Sequence, residues 1–165
     1  MIDRRRIQPE AGQESVWDYP RPPRLELIRK HIRVVLNSVV IAETTGAHRV
    51  LETSHPPVYY IPREDVAWEY VQEATGESFC EWKGVARYYD AIVGEQHRTR
   101  AAWGYPEPEP KFAAIKGALA FYAHMMDECT VDGERVEPQP GLFYGGWVTR
   151  DIVGPFKGGA GTMGW

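Results

Sequence analysis

The chain has little cysteine: Cys80 and Cys129 are the only two among 165 residues. Two thiols 49 positions apart cannot build a zinc knuckle, and they argue against a disulfide scaffold. No apolar run approaches the roughly 18 residues that a membrane helix needs. The basic start, Met1–Arg6, is followed by no apolar segment of the kind that a secretory signal carries. The expectation is a cytoplasmic protein without a membrane partner. Phosphate-handling signatures are missing too. No Lys is followed by Ser or Thr in a G-x-x-x-x-G-K-[ST] pattern, and D-x-D does not occur. Glu64 and Asp65 are adjacent, so on a helix they point about 100° apart and chelate poorly. Neither a metal nor a cofactor is expected.

Charge of one sign is also scarce where a nucleic-acid binder would need it. Residues 1–33 carry eight Lys/Arg against five Asp/Glu, while the remaining 132 carry eleven against eighteen. An acidic body repels phosphate backbones, so nucleic acid is excluded as the main partner. The arginine-rich start reads as a solvated arm.

What is present is aromatic, glycine-rich and β-patterned, in a chain long enough to bury a core as one domain. Residues 1–24 end in WDYPRPPR, where three prolines remove backbone donors; this predicts an arm anchored by Trp17 and Tyr19. From Ile32 the pattern alternates, with turns predicted at Asn37-Ser38 and Thr44–Gly46, giving a meander of short strands through Glu52. Val58–Ile61 reads as a strand with Tyr59 and Ile61 on one face and Val58 and Tyr60 on the other. Pro62, the acidic pair Glu64-Asp65 and the spacing of Val66, Tyr70 and Ala74 predict one short helix at about 63–75, ended by Gly76. Ser78–Val93 predicts two strands broken near Gly84, and Thr99–Tyr105 and Leu119–Ala123 two more. Lys111–Ala118 suits a helical turn, and Asp132-Gly133 closes a hairpin within 125–136. Residues 138–165 hold eight glycines after Pro140, which exclude regular structure. Their aromatics exclude disorder, so the segment reads as a wrap pinned to a core of residues 25–137.

Three stretches, RVLETSHPPVYYIPREDV, FCEWKGVARYYD and AAWGYPEPEPKFAAIKGALAFY, occur in an order that resembles the bacterial family called domain of unknown function 427. That family is also labelled nucleotidyltransferase-like. The resemblance covers about residues 30–136, and the arm and the FYGGWVT…GPFKGGAGT tail are similar to its longer members. It implies a mainly β, compact antiparallel fold, tent-like or an open barrel with one short helix, in some members dimeric. The nucleotidyltransferase label is discounted on the missing carboxylate pair. Ala118 stands where the family pattern has an aromatic, which would enlarge a neighbouring cavity.

The candidate site gathers around Glu52–Asp65. Arg63 and Lys83 would bind a carboxylate or phosphate, with Glu52, Asp65 and Trp103 lining the pocket. Cys80 is the nucleophile by residue type, Tyr60 or Tyr88 would move a proton, and His55 is one histidine to activate the thiol, with His31, His48, His97 and His124 as alternatives. Against this, Arg63 could simply pair with Glu52 or Asp65, Lys83 with Glu81, and Cys80 could be an inert core thiol. The leading expectation is a pocket for a small anionic or polar metabolite. The alternative is a homodimeric interaction module that uses the arm and tail.

Overall fold

A computed structural model describes residues 6–165. The first five residues, and with them most of the arginine-rich start, lie outside the described residues. The chain is mainly β. Along the arm come β1 (Glu14–Ser15) and β2 (Arg24–Ile28), followed by the meander β3 (Ile32–Leu36), β4 (Val39–Thr44) and β5 (Ala47–Leu51). The β3–β4 turn takes left-handed φ values at both Asn37 (49°) and Ser38 (63°), the requirement of a tight two-residue hairpin. β6 (Val58–Tyr60) is short. β7 (Val71–Cys80), β8 (Gly84–Val93) and β9 (Gln96–Gly104) are the long strands, and β10 (Leu119–Phe121) follows them. β11 (Glu128–Val131) and β12 (Glu134–Arg135) form the hairpin closed by Asp132-Gly133. The chain ends with the two-residue strands β13 (Glu137–Pro138), β14 (Trp147–Val148) and β15 (Ile152–Val153).

Among the described residues the larger sheets have orders β2-β5-β6, β12-β11-β3-β4 and β10-β9-β8-β7, and β1-β15 and β13-β14 are two-stranded pairs beside them. The first and third are joined where Ile61 and Leu119 exchange backbone hydrogen bonds at 2.8 and 2.9 Å. No sheet closes into a barrel: β7, for one, is an edge strand. The alternation of β6 splits two cores. Tyr59 and Ile61 enter the larger one, with Ile32, Val34, Leu36, Phe121 and Trp147. Tyr60 enters the smaller one, with Trp103, Tyr105, Phe112 and Ile115.

The helix expected at 63–75 is much shorter. Arg63–Asp65 and Trp68–Tyr70 are single 3-10 turns, and β7 has begun by Val71. Sheet pairing takes the backbone away from the helix. Ala67 donates to Ile41 at 2.8 Å, Val66 bridges to Ala42, and Val71–Glu73 pair with β8. The apolar spacing is real, since Val66 and Val71 are buried, but pleated backbone satisfies it. Gly76, with φ 97°, sits at a register shift inside β7 rather than capping a helix. β2 is the one strand of the meander region that the proline-rich arm concealed.

The arm and tail clamp the body. β1 pairs with β15 in parallel, Trp17 Nε1 donates to Pro155 O at 2.9 Å, and Trp17 packs edge-on against Trp165. Arg49, on β5, reaches Glu14 at 2.7 Å and Glu26 at 2.9 Å, which ties the arm to the sheet. In the tail, Trp147 is nearly inaccessible, stacks on Tyr59 at 5.2 Å and donates from Nε1 to Phe121 O.

Candidate functional site

The turn after β5 aims side chains inward because both clamps seize its backbone. Ser54 N–H donates to Val16 O at 3.0 Å, Thr53 Oγ1 donates to Tyr19 O, and Lys157 N–H donates to Ser54 O at 2.9 Å. Ser54 adopts a left-handed φ of 73° there, uncommon for a residue other than glycine, and these hydrogen bonds hold it. Glu52 and His55 therefore face a cavity of about 550 Å³.

Several further elements wall this cavity. β6 contributes Tyr60, and β9 contributes Trp103, whose Nε1 donates to Tyr60 Oη at 3.3 Å. The β7–β8 hairpin contributes Cys80, Lys83 and Tyr88. Its turn is fixed by Glu109 N–H donating to Lys83 O at 3.0 Å, and Gly84 takes a φ of 107°, which strains any residue with a side chain. The tail contributes Phe143, Tyr144 and Lys157. Gly145 lets it approach, since a Cβ there would sit 2.3 Å from the Trp103 ring. Aromatic rings thus line the interior: Trp103 lies 4.5 Å from Tyr122, and Tyr60 lies 6.2 Å from Tyr105. At the mouth Phe79 and Phe143 are 73% and 72% exposed.

Of the residues singled out from sequence, Glu52, Tyr60, Cys80, Lys83, Tyr88 and Trp103 share this cavity. Arg63 and Asp65 do not. Pro62 turns the chain towards the larger core, where the Arg63 guanidinium stacks 4.1 Å from the Trp68 ring, and Trp68 Nε1 donates to Arg63 O. Asp65 accepts from Thr44 Oγ1 at 2.7 Å. The expected pairing of Arg63 with Lys83 is therefore corrected, and so is its rival, an ion pair between Arg63 and Glu52 or Asp65: Glu52 pairs with Arg21 at 3.3 Å. The cations that replace Arg63 are Arg100, stacked 4.1 Å from the Tyr88 ring, and Lys157, 5.4 Å from the Tyr144 ring. Sequence reasoning missed both. Lys157 lies 74 positions beyond Lys83 in a glycine-rich segment, and nothing local marks it.

Lys83 is the unusual group. The residue is only 9% exposed, its ammonium sits 5.8 Å from the Tyr105 ring, and no carboxylate among the described residues pairs with it. Glu81, the expected partner, leaves it unpaired. His55 carries the opposite signature. Burial first, then the positive charges of Lys157, Arg21 and Lys83, push its pKa down to about 3. The 3.6 Å contact with Glu52 would by itself favour the imidazolium. Burial and three cations outweigh one partly solvated carboxylate, so the ring is neutral at pH 7. Burial also raises the phenols of Tyr60 and Tyr105 above their ordinary value, and takes Tyr122 to about 12. These phenols remain protonated at neutral pH and serve as hydrogen-bond donors rather than bases. Among the described residues Cys80 makes no hydrogen bond to His55 or Lys83, and Tyr88 Oη bonds Ser78 Oγ at 2.9 Å. The cavity presents recognition groups, not an assembled nucleophile and base.

Comparison with known proteins gives one family. Its model, described as a domain of unknown function (DUF427), matches residues 24–132, two thirds of the chain, so the chain belongs to that family. No curated protein matches the chain. The match includes Glu52, Tyr60, Cys80, Lys83 and Trp103; Tyr144 and Lys157 lie beyond it.

Proposed function

For this member of the DUF427 family we propose that the cavity binds a small anionic molecule with a flat apolar part. The observation that carries the reading is Lys83: a lysine only 9% exposed, unpaired by any described carboxylate, in a cavity walled by aromatic rings. Desolvating a lysine without an anion is costly, and an incoming carboxylate or phosphate offsets that cost. Lys157 and Arg100 add positive charge around the same space, and Trp103, Tyr105 and Tyr122 offer ring faces to an apolar group. The volume suits a metabolite rather than a peptide. Both cysteines are free, which fits a reducing compartment such as the cytoplasm.

A melting-temperature screen against aromatic and aliphatic carboxylates and phosphates tests the proposal. A ligand at 100 times its Kd stabilises by about 2.7 kcal/mol, which for a chain of this size is a rise of roughly 5–10 °C. The rise disappears in Lys83→Met and persists in Arg63→Ala, since Arg63 lies outside the cavity. A flat screen, or an effect removed by Arg63→Ala and kept by Lys83→Met, refutes it.

A further inference from the structure

The tail does more than wall the cavity, because it dictates the chemistry of His55. Gln139 is fully buried, and its amide orientation is forced. Gly146 N–H donates to one terminal atom at 3.0 Å, so that atom is the oxygen. The nitrogen donates to the Lys157 carbonyl at 2.8 Å, an acceptor that admits no alternative. Its second hydrogen faces His55 Nδ1 at 3.0 Å. Nδ1 must therefore accept, and a neutral ring carries its proton on Nε2. Nε2 has no hydrogen-bond partner among the described residues. Glu52 Oε2 lies 3.6 Å from it, too far for a hydrogen bond, and is held in place by Arg21.

A fixed donor and a fixed acceptor thus stand side by side on the cavity wall. An atom that satisfies both must accept from Nε2–H and donate to the carboxylate. A hydroxyl does both. A carboxylate or phosphate oxygen would meet the charge of Glu52, and an ammonium would meet the imidazole N–H. Lys83 and Lys157 remain for the anionic group. Resting on the anion-binding reading above, we propose that His55 and Glu52 form a hydroxyl-recognition pair, so that the ligand is a hydroxylated anion, with Gln139 as the positioning residue that sets the tautomer. Burial and the surrounding cations keep the ring neutral, as the donor role requires.

Two measurements test this on the full chain. In ¹⁵N-labelled protein, long-range ¹H–¹⁵N spectra report the tautomer of each histidine between pH 7.5 and 5. His55 is expected as Nε2–H throughout. An Nδ1–H tautomer, or a ring that protonates near pH 6.5, overturns the locked donor. Calorimetric titration then compares mandelate with phenylacetate, which share ring and carboxylate and differ by one hydroxyl. Mandelate, in either enantiomer, is expected to bind at least about tenfold tighter, because without the hydroxyl the pair stays unsatisfied. That preference vanishes in His55→Phe. Equal binding of the two acids overturns the hydroxyl pair and leaves the anion cavity standing. Binding of neither overturns both, while the tautomer spectra still decide the role of Gln139.

Discussion

Replacing Gly146 by alanine tests whether the tail is built into the cavity wall. A Cβ there would fall 2.5 Å from Pro56 O, 2.7 Å from Gln139 Oε1 and 3.0 Å from Pro56 Cγ. The cost is steric alone, since φ at this position is not left-handed. The carbonyl of Pro56 cannot swing aside cheaply: the next carbonyl, Pro57 O, accepts from Trp147 N–H at 2.9 Å, and Trp147 is locked in the larger core. The tail must retreat instead. Retreat strains the two hydrogen bonds that Gly146 exchanges with Gln139, N–H to Oε1 at 3.0 Å and backbone O from N–H at 2.9 Å. Overpacking costs about 1–3 kcal/mol and a weakened hydrogen bond about 1 kcal/mol, so the expected loss is about 2–4 kcal/mol. At this chain length that corresponds to a fall in Tm on the order of 5–15 °C. Differential scanning calorimetry measures it. Gly159→Ala is the internal control: nothing lies within 4 Å of a Cβ there, and the change is expected to stay within about 0.5 kcal/mol. If Gly146→Ala melted together with Gly159→Ala, the tail would not form the wall described, and the account of His55 would fall with it.

Three further outcomes follow from the same packing. His55 has a folded pKa of about 3 against an ordinary 6.5, so below pH 6.5 the unfolded chain takes a proton that the folded chain refuses. Its stabilising effect is complete above pH 6.5 and declines as pH falls towards 3, by up to about 1.4 kcal/mol per pH unit. Urea unfolding at pH 7, 6 and 5 should show this slope, and His55→Phe should flatten it. His48 and His124, also lowered by burial, give a background common to both proteins, so equal slopes would contradict the assignment. Trp147→Ala should cost about 3–5 kcal/mol through lost burial. Trp147→Phe should still cost about 1–3 kcal/mol, because the Phe121 carbonyl loses its donor; a neutral Trp147→Phe would show that this hydrogen bond contributes nothing.

The β meander was legible because its signals are local. Asn37-Ser38 and Asp132-Gly133 sit between alternating runs and take left-handed φ values at all four positions, and the two-faced reading of Tyr59 and Tyr60 needs only the pleat. The expected helix was not legible because periodicity at Val66, Tyr70 and Val71 fits either backbone. What decides it is Ile41 O and Ala91, some 26 and 20 residues away in sequence, which offer partners to Ala67 and Val71. A strand is chosen by its neighbours, so a short apolar run does not select a backbone by itself.

The candidate site divides along the same line. Cys80, Lys83, Tyr60 and Trp103 converge because each lies on or beside a strand of the family's own core, where alternation fixes the face a side chain takes. Arg63 sits one residue past Pro62, at the point where the pleat stops, so the face that Tyr60 shows says nothing about the face of Arg63. The guanidinium instead finds Trp68, five residues on. The charge expected from Arg63 is supplied from the tail by Lys157, and the imidazole expected to activate the Cys80 thiol is instead held at Nδ1 by Gln139. Lys157 lines the cavity and Gln139 holds His55 on its wall, and Gly145 and Gly146 let the tail lie close because neither has a Cβ to hold it off Trp103 and Pro56. The glycines that exclude long regular strands from this segment are therefore what admits it to the site. A wrap whose role was only to shield the core would not need two successive residues placed so close that an added Cβ would fall 2.3 Å from Trp103 and 2.5 Å from Pro56, two residues that line the cavity.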